Sequence, residues 1–109
     1  MHRGGCKCGV VAYEADGEID KVMACNCSIC RPKGYLHWFV KNDRFRLLKG
    51  GERLASFQFG KKVMNHRFCP DCGVATHVEG PGMVGVNART VEGVDLDALK
   101  VEPYDGASK

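Results

Sequence analysis

The centre of this sequence is a short stretch that carries three thiols within six residues, Cys25-Asn26-Cys27-Ser28-Ile29-Cys30. Two cations, Arg31 and Lys33, follow it closely. The remaining four cysteines form two pairs, one on each side of this stretch: Cys6 with Cys8, and Cys69 with Cys72. Thiolates at such close spacing are preferred zinc ligands. We therefore expect metal binding to organise the chain.

The two outer pairs predict one closed structural zinc site. The segment Cys69-Pro70-Asp71-Cys72-Gly73 has the C-x-x-C spacing that lets two thiolates reach one tetrahedral ion at about 2.3 Å each. Its trailing glycine permits a left-handed turn, which points backbone N–H groups at the sulfurs. The segment Cys6-Lys7-Cys8-Gly9 has the same trailing glycine at tighter spacing. A redox dithiol or free thiols at Cys69 and Cys72 are the alternative, although nothing around the pair resembles a βαβ redox fold.

The central triplet predicts a different kind of site. If Cys25, Cys27 and Cys30 bind a second zinc ion, tetrahedral coordination still needs a fourth ligand. Three protein ligands with one exchangeable position are the arrangement that zinc catalysis uses. The cations Arg31 and Lys33 would attract a substrate that carries carboxylates.

Other ligand sets for the triplet remain open at this stage. A histidine in the fourth position would make it a second structural site, and the candidates are His37, His66 and His77. His66 is also a candidate for orienting a ligand or assisting proton transfer. A different partition, in which an outer cysteine completes the triplet, would leave the other three cysteines short of a ligand.

Length and composition indicate a single all-β domain over residues 1–109. The hydrophobic fraction of 44% is ordinary for a globular protein, and 14 glycines in 109 residues favour many turns. Short apolar runs at close spacing are typical of strands. The predicted strands cover residues 10–15, 19–24, 35–40, 54–59, 63–68, 74–78 and 83–88, with 45–48 as strand or helical turn. A frayed N-terminus that includes His2 is expected, with a loop at 31–34, a helical turn capped by Asp95 at 95–99, and a loose tail at 105–109.

The net charge and hydropathy of the sequence limit the classes of partner and the cellular location that we expect. Seven thiolates would subtract seven charges and two Zn²⁺ ions would add four, so the formal charge of +3 would fall to zero. A nucleic-acid partner is therefore disfavoured. No apolar run approaches a membrane span, and the N-terminal residues show no signal peptide. We expect a cytoplasmic protein with reduced thiols, because seven cysteines also do not close into disulfides.

The ordered motifs resemble those of the glutathione-dependent formaldehyde-activating enzyme family, to which the centromere protein V proteins also belong. The resemblance rests on four segments in order and runs from about residue 4 to 106. These segments are Gly5-Cys6-Lys7-Cys8-Gly9, Cys25-Asn26-Cys27-Ser28-Ile29-Cys30-Arg31, His66-Arg67-Phe68-Cys69-Pro70-Asp71-Cys72-Gly73 and Val86-Asn87-Ala88-Arg89.

The resemblance implies an Mss4-like fold of several coiled β-sheets, stabilised by zinc. It assigns a structural zinc to the outer four cysteines and a catalytic zinc to Cys25, Cys27 and Cys30. It also implies a carbon–sulfur lyase activity that joins glutathione and formaldehyde to S-hydroxymethylglutathione. A non-catalytic zinc module that binds a protein or nucleic acid is the competing function, and zinc storage is a third.

Overall fold

The computed structural model of the chain describes residues 1–26, 30–58 and 64–105. Within these ranges the chain forms ten strands and one short α-helix, with three single turns of 3-10 helix at Asn42–Arg44, Ala88–Thr90 and Leu96–Ala98. The elements are β1 (His2–Gly5), β2 (Ala12–Ala15), β3 (Lys21–Cys25), α1 (Cys30–Lys33), β4 (His37–Lys41), β5 (Phe45–Lys49), β6 (Ala55–Phe57), β7 (Asn65–Phe68), β8 (Ala75–Gly80), β9 (Met83–Asn87) and β10 (Lys100–Tyr104).

The strands make two sheets of unequal size. The smaller sheet has the order β1-β2-β5, and the larger has the order β10-β3-β4-β9-β8-β7-β6. Neighbours are antiparallel, except that β10 runs parallel to β3 and places Tyr104 opposite Cys25. An all-β fold of several sheets is therefore confirmed, and it is consistent with the Mss4-like architecture.

The main core lies between the two sheets. Side chains alternate between the faces of a strand, so Trp38 and Val40 of β4 face Tyr13 in this core. The Tyr13 ring stacks on Phe45 with ring centroids 5.1 Å apart, and Phe45 in turn contacts His77 of β8 at 4.5 Å. The intervening positions of the large sheet, which include His37 and Val78, belong to a separate cluster around Cys30.

Most predicted strands are present with shorter or shifted ends. The run predicted at 45–48 is the strand β5, and the pair predicted at 74–78 and 83–88 is the β8–β9 hairpin. Asp95 caps its turn as predicted, because its carboxylate accepts a hydrogen bond from the N–H of Asp97 at 3.1 Å. The predicted ends at residues 59 and 63, and the tail beyond residue 105, lie outside the described residues.

Two expectations about local structure were wrong. Residues 31–34 do not form a loop, because α1 spans Cys30–Lys33. Pro32 is accommodated because the first turn of a helix leaves its N–H groups without helical acceptors. Gly34 ends the helix with φ of +66° and donates its N–H to the carbonyl of Cys30 at 3.0 Å. The N-terminal residues are also not frayed, since His2–Gly5 pairs with Ala12–Ala15.

Among the described residues there is no helix with the length and apolarity that a membrane crossing requires.

Candidate metal centres

Two chain reversals bring the four outer cysteines together. The Sγ atoms of Cys6, Cys8, Cys69 and Cys72 all lie within 4.8 Å of one another. Cys8 Sγ is 3.6 Å from Cys6 Sγ and also 3.6 Å from Cys69 Sγ. Four sulfurs bound at 2.3 Å around a tetrahedral ion stand about 3.8 Å apart. The donor set and its spacing therefore fit zinc.

The two reversals are built alike. In the first, the N–H of Cys6 donates to the carbonyl of Val11 at 3.2 Å. In the second, the N–H of Cys69 donates to the carbonyl of Val74 at 3.0 Å, so each bond spans five residues. The trailing glycines adopt left-handed conformations, with φ of +80° at Gly9 and +79° at Gly73. These values match the role that the sequence predicted for the two glycines.

Backbone donors and neighbouring thiols shift the pKa values of the outer cysteines in opposite directions. The backbone N–H of Val74, followed by that of Cys8, lowers the pKa of Cys72 to about 6. For Cys8, the N–H of Val10 lowers the pKa and burial raises it, while the three neighbouring thiols together raise it to about 12. Cys72 therefore loses its proton more readily than Cys8 does. A divalent cation that binds there displaces the remaining protons.

Arg53 lies beside this cluster and was not identified from the sequence. Its Nη2 atom is 2.6 Å from both carboxylate oxygens of Asp71, inside the second reversal. The carboxylate raises the pKa of Arg53, and the thiols of Cys69 and Cys8 add to that effect. Four thiolates around one Zn²⁺ carry a net charge of −2, so a nearby guanidinium offsets part of it. Sequence spacing alone does not indicate that residues 53 and 71 meet.

The central triplet is positioned by different elements from those that hold the outer cysteines. Cys25 is the last residue of β3 and Cys30 is the first residue of α1. Cys25 packs against the buried cluster formed by Cys30, Tyr35 and Val78. Cys27, the third predicted ligand, lies outside the described residues. The structure therefore places two of the three cysteines in one packed cluster, separate from the four outer cysteines.

A histidine contacts the triplet, and it is His37. Its Nε2 atom lies 3.5 Å from Cys30 Sγ. Burial, followed by the nearby charge of His66, lowers the pKa of His37 to about 4, so the ring is neutral at pH 7. His66 is buried on the same face of the large sheet as His37, and the centroid of its ring is 5.9 Å from the centroid of the Tyr35 ring. His77 faces Phe45 in the main core instead, which removes it as a ligand of the triplet.

The two cations predicted beside the triplet differ in their placement. Arg31 and Lys33 are both exposed on α1. The Lys33 ammonium nevertheless folds back, and it lies 5.1 Å from the ring centroid of Phe68 and 5.7 Å from that of Tyr35. Burial lowers the pKa of Lys33, and the Cys30 thiolate opposes that shift. Lys33 thus holds a positive charge against the aromatic side of the site.

Asn87 and Arg89 position the segment that follows the triplet. Arg89 donates its Nε–H to the carbonyl of Gly34 at 3.0 Å, which anchors the end of α1. The Asn87 side chain accepts from the N–H of Arg89 and donates to the carbonyl of Ala75 at 2.9 Å. The sequence marked this motif only through the family resemblance, and the contacts give it a structural reason.

Two comparisons relate this chain to known proteins. The sequence model of the family described as glutathione-dependent formaldehyde-activating enzyme matches residues 1–103. The chain belongs to this family. A solved crystal structure of a Rhodobacter sphaeroides protein, a structural genomics target, has 30% sequence identity and a TM-score of 0.83 to this chain. The match covers 92% of this chain and 99% of that one.

Proposed function

We propose that this chain is a zinc-dependent carbon–sulfur lyase or synthase of the glutathione-dependent formaldehyde-activating type. Its substrate would be glutathione or another small thiol adduct such as S-hydroxymethylglutathione. Cys6, Cys8, Cys69 and Cys72 would hold a structural zinc, and Cys25, Cys27 and Cys30 a catalytic one. The observation that carries the proposal is the closure of the outer cluster within 4.8 Å, which leaves the triplet without a fourth cysteine.

The surroundings of Cys30 suit a reaction on a small anionic thiol. Lys33 and Arg31 would bind the carboxylates of such a thiol. The buried rings of Tyr35 and His37 keep water from the inner side of Cys30, which is itself 7% exposed. Zinc bound by the triplet would lower the pKa of a substrate thiol and polarise an aldehyde oxygen.

The test is the exchange rate between glutathione, formaldehyde and S-hydroxymethylglutathione, measured by NMR with and without protein. The zinc-loaded chain should accelerate the exchange, whereas Cys30→Ser should abolish the acceleration and keep the circular dichroism spectrum. Because the two reactants also combine unaided, the uncatalysed rate is the reference. Equal acceleration by Cys30→Ser would refute the proposed catalytic role of the triplet.

A non-catalytic zinc module remains the second candidate, and one distance favours it. The 3.5 Å separation between His37 Nε2 and Cys30 Sγ is also what two ligands of one tetrahedral zinc show. If His37 were the fourth ligand, the site would be closed to substrate. Glutathione would then leave the absorption spectrum of a cobalt-substituted triplet unchanged, whereas an open site predicts a new spectrum.

A further inference from the structure

His37 contacts a predicted zinc ligand on the buried side of the site. This contact carries an inference that rests on the proposed function. The Nε2 atom lies 3.5 Å from Cys30 Sγ, within the longer range over which sulfur accepts a hydrogen bond. The exposed fraction is 5% for His37 and 7% for Cys30. Water therefore does not compete for the pair.

An aromatic ladder fixes the orientation of the His37 ring. Tyr35, His37 and Phe39 follow one another at alternate positions, so their side chains share one face of the sheet. The rings of Tyr35 and His37 are stacked with centroids 4.7 Å apart and planes inclined by 24°. The rings of His37 and Phe39 are stacked at 5.6 Å and 23°. A ring held on both sides has little freedom to rotate Nε2 away from Cys30.

The other nitrogen of the ring lies over a bare glycine. A Cβ atom at Gly85 would lie 3.1 Å from His37 Nδ1 and 3.2 Å from Phe39 Cε1, so any larger residue would press on the ladder. Among the residues that the structure describes, His37 Nδ1 has no hydrogen-bond partner. A proton on Nδ1 would be a buried donor without an acceptor, whereas a proton on Nε2 meets the Cys30 sulfur.

We propose that His37 is a positioning residue that donates its Nε2–H to the Cys30 sulfur and does not itself bind the metal. The donated hydrogen bond sets the direction of the thiolate lone pairs and reduces the negative charge that the sulfur offers to the metal. Hydrogen bonds from the protein to ligating atoms tune metal sites in this way. The fourth coordination position stays available for substrate.

Two substitutions separate hydrogen-bond donation from stacking. His37→Phe keeps an aromatic ring in the ladder but removes the donor. His37→Gln loses the ring but has an amide nitrogen near the position of Nε2. In the full-length chain loaded with Co²⁺, His37→Phe should shift the thiolate-to-cobalt charge-transfer band. It should also weaken metal binding at the triplet about 10–100-fold, as loss of such supporting partners does. His37→Gln should restore both toward the unsubstituted protein.

Two control variants distinguish a specific effect at His37 from a general loss of folded structure. His77→Gln removes a buried histidine that packs on Phe45 in the main core and should leave the charge-transfer band in place. Gly85→Ala presses on Nδ1 without removing the donor and should shift the band less than His37→Phe. If His37→Phe does not fold, the charge-transfer band of Gly85→Ala is measured in its place.

The outcomes separate this inference from the proposed function. Unchanged bands in His37→Phe, or an equal shift in His77→Gln, would overturn the positioning role. A His37→Gln protein that loses the metal, with ligand-field bands that indicate a lost nitrogen ligand, would show that His37 is a ligand and also overturn it. If the bands follow the prediction but the unsubstituted protein accelerates no exchange, the proposed function fails while the role of His37 stands.

Discussion

The two cysteine sites of this chain are supported in different ways. The outer site is made from two similar chain reversals, and backbone N–H groups, such as that of Val11 to Cys6 Sγ at 3.3 Å, contact its sulfurs. The described part of the central triplet is asymmetric, because it joins the end of a strand to the start of a helix. There the contact to sulfur comes from a side chain, His37. Backbone donors persist through most substitutions, whereas side-chain donors vary with the sequence.

This difference is what the proposed structural and catalytic roles would require. A site whose four sulfurs come from two rigid turns suits a structural role, since it cross-links distant parts of the chain. The described part of the triplet is instead held by an aromatic ladder and a helix terminus, and the proposed function requires its fourth coordination position to be open. Four predictions test this contrast, from the largest expected effect to the smallest.

Removal of a buried outer ligand should have the largest effect. Cys69→Ser should unfold the domain, because a structural zinc site contributes on the order of 10 kcal/mol, comparable to the whole stability of a small domain. Cys69 is fully buried, so the loss is not relieved by water. Circular dichroism and thermal melting measure the effect, with Cys30→Ser as the control that keeps its fold. Unchanged melting of Cys69→Ser would show that the outer four do not share a structural ion.

Graded chelation should remove the two proposed zinc ions in sequence. The triplet, with three protein ligands, should lose its zinc first, together with the exchange activity and with little change in the far-ultraviolet spectrum. The second equivalent should leave only as the protein unfolds. Colorimetric zinc release and circular dichroism, followed on one sample, measure both. Release of all the zinc in one step with unfolding would contradict the separation into two sites.

The two trailing glycines should respond equally to substitution. A Cβ at Gly9 or at Gly73 meets nothing within 4 Å, so the cost of alanine comes from the left-handed backbone alone. Each of Gly9→Ala and Gly73→Ala should reduce the free energy of unfolding by about 1–2 kcal/mol. Gly51→Ala is the matched control, because its φ is not left-handed and its Cβ would make only ordinary contact with Leu47. Denaturant unfolding of the three variants tests this, and unequal costs in the two chain reversals would contradict their equivalence.

An ion pair between β7 and β8 should have the smallest effect. The His77 ring, 3.6 Å from Glu79, and the Arg67 guanidinium at 3.0 Å lower the pKa of Glu79 below its ordinary value of 4.5. The stabilisation is therefore present above about pH 4.5 and is lost as the pH falls through the lower folded value. It should be under about 1 kcal/mol, because the carboxylate is partly exposed.

The measurement compares the unfolding free energies of the unsubstituted protein and Glu79→Gln between pH 7 and pH 4. Loss of zinc at low pH affects both proteins, so only their difference is informative. That difference should shrink as the pH falls. A difference that stayed constant would show that the Glu79 carboxylate makes no pH-dependent contribution.

The sequence predicted most of the strands because their apolar residues recur locally. It did not predict β1, because His2–Gly5 contains two glycines and little strand propensity. This strand is held by tertiary contact: a Cβ at Gly4 would collide with the carbonyl of Thr90 and the ring of Tyr13. It also did not predict β10, an exposed edge strand that contains Pro103, a residue that edges tolerate. Its parallel pairing with β3 has no local signature.

The candidate site shows the same limit. Cysteine spacing was sufficient to predict which four residues approach one another, because ligand chemistry constrains spacing directly. Spacing could not choose among His37, His66 and His77, since the choice depends on which face of the sheet each strand position takes. Alternation along β4 places His37 next to Cys30, whereas His77 of β8 faces the opposite core. The salt bridge between Arg53 and Asp71 could not be predicted from sequence spacing for a similar reason.

The sequence separations of these contacts have a consequence for the order of synthesis. The triplet is encoded within six residues, whereas Cys8 must wait for Cys69, 61 residues further along. At about 5–20 residues per second, the ribosome would deliver the complete triplet several seconds before the outer set. The backbone beside Cys25 is paired later still, since β10 lies along β3 and the N–H of Asn26 donates to the carbonyl of Tyr104 at 3.1 Å. The first complete set of predicted ligands to be made is thus the last to gain its neighbouring strand.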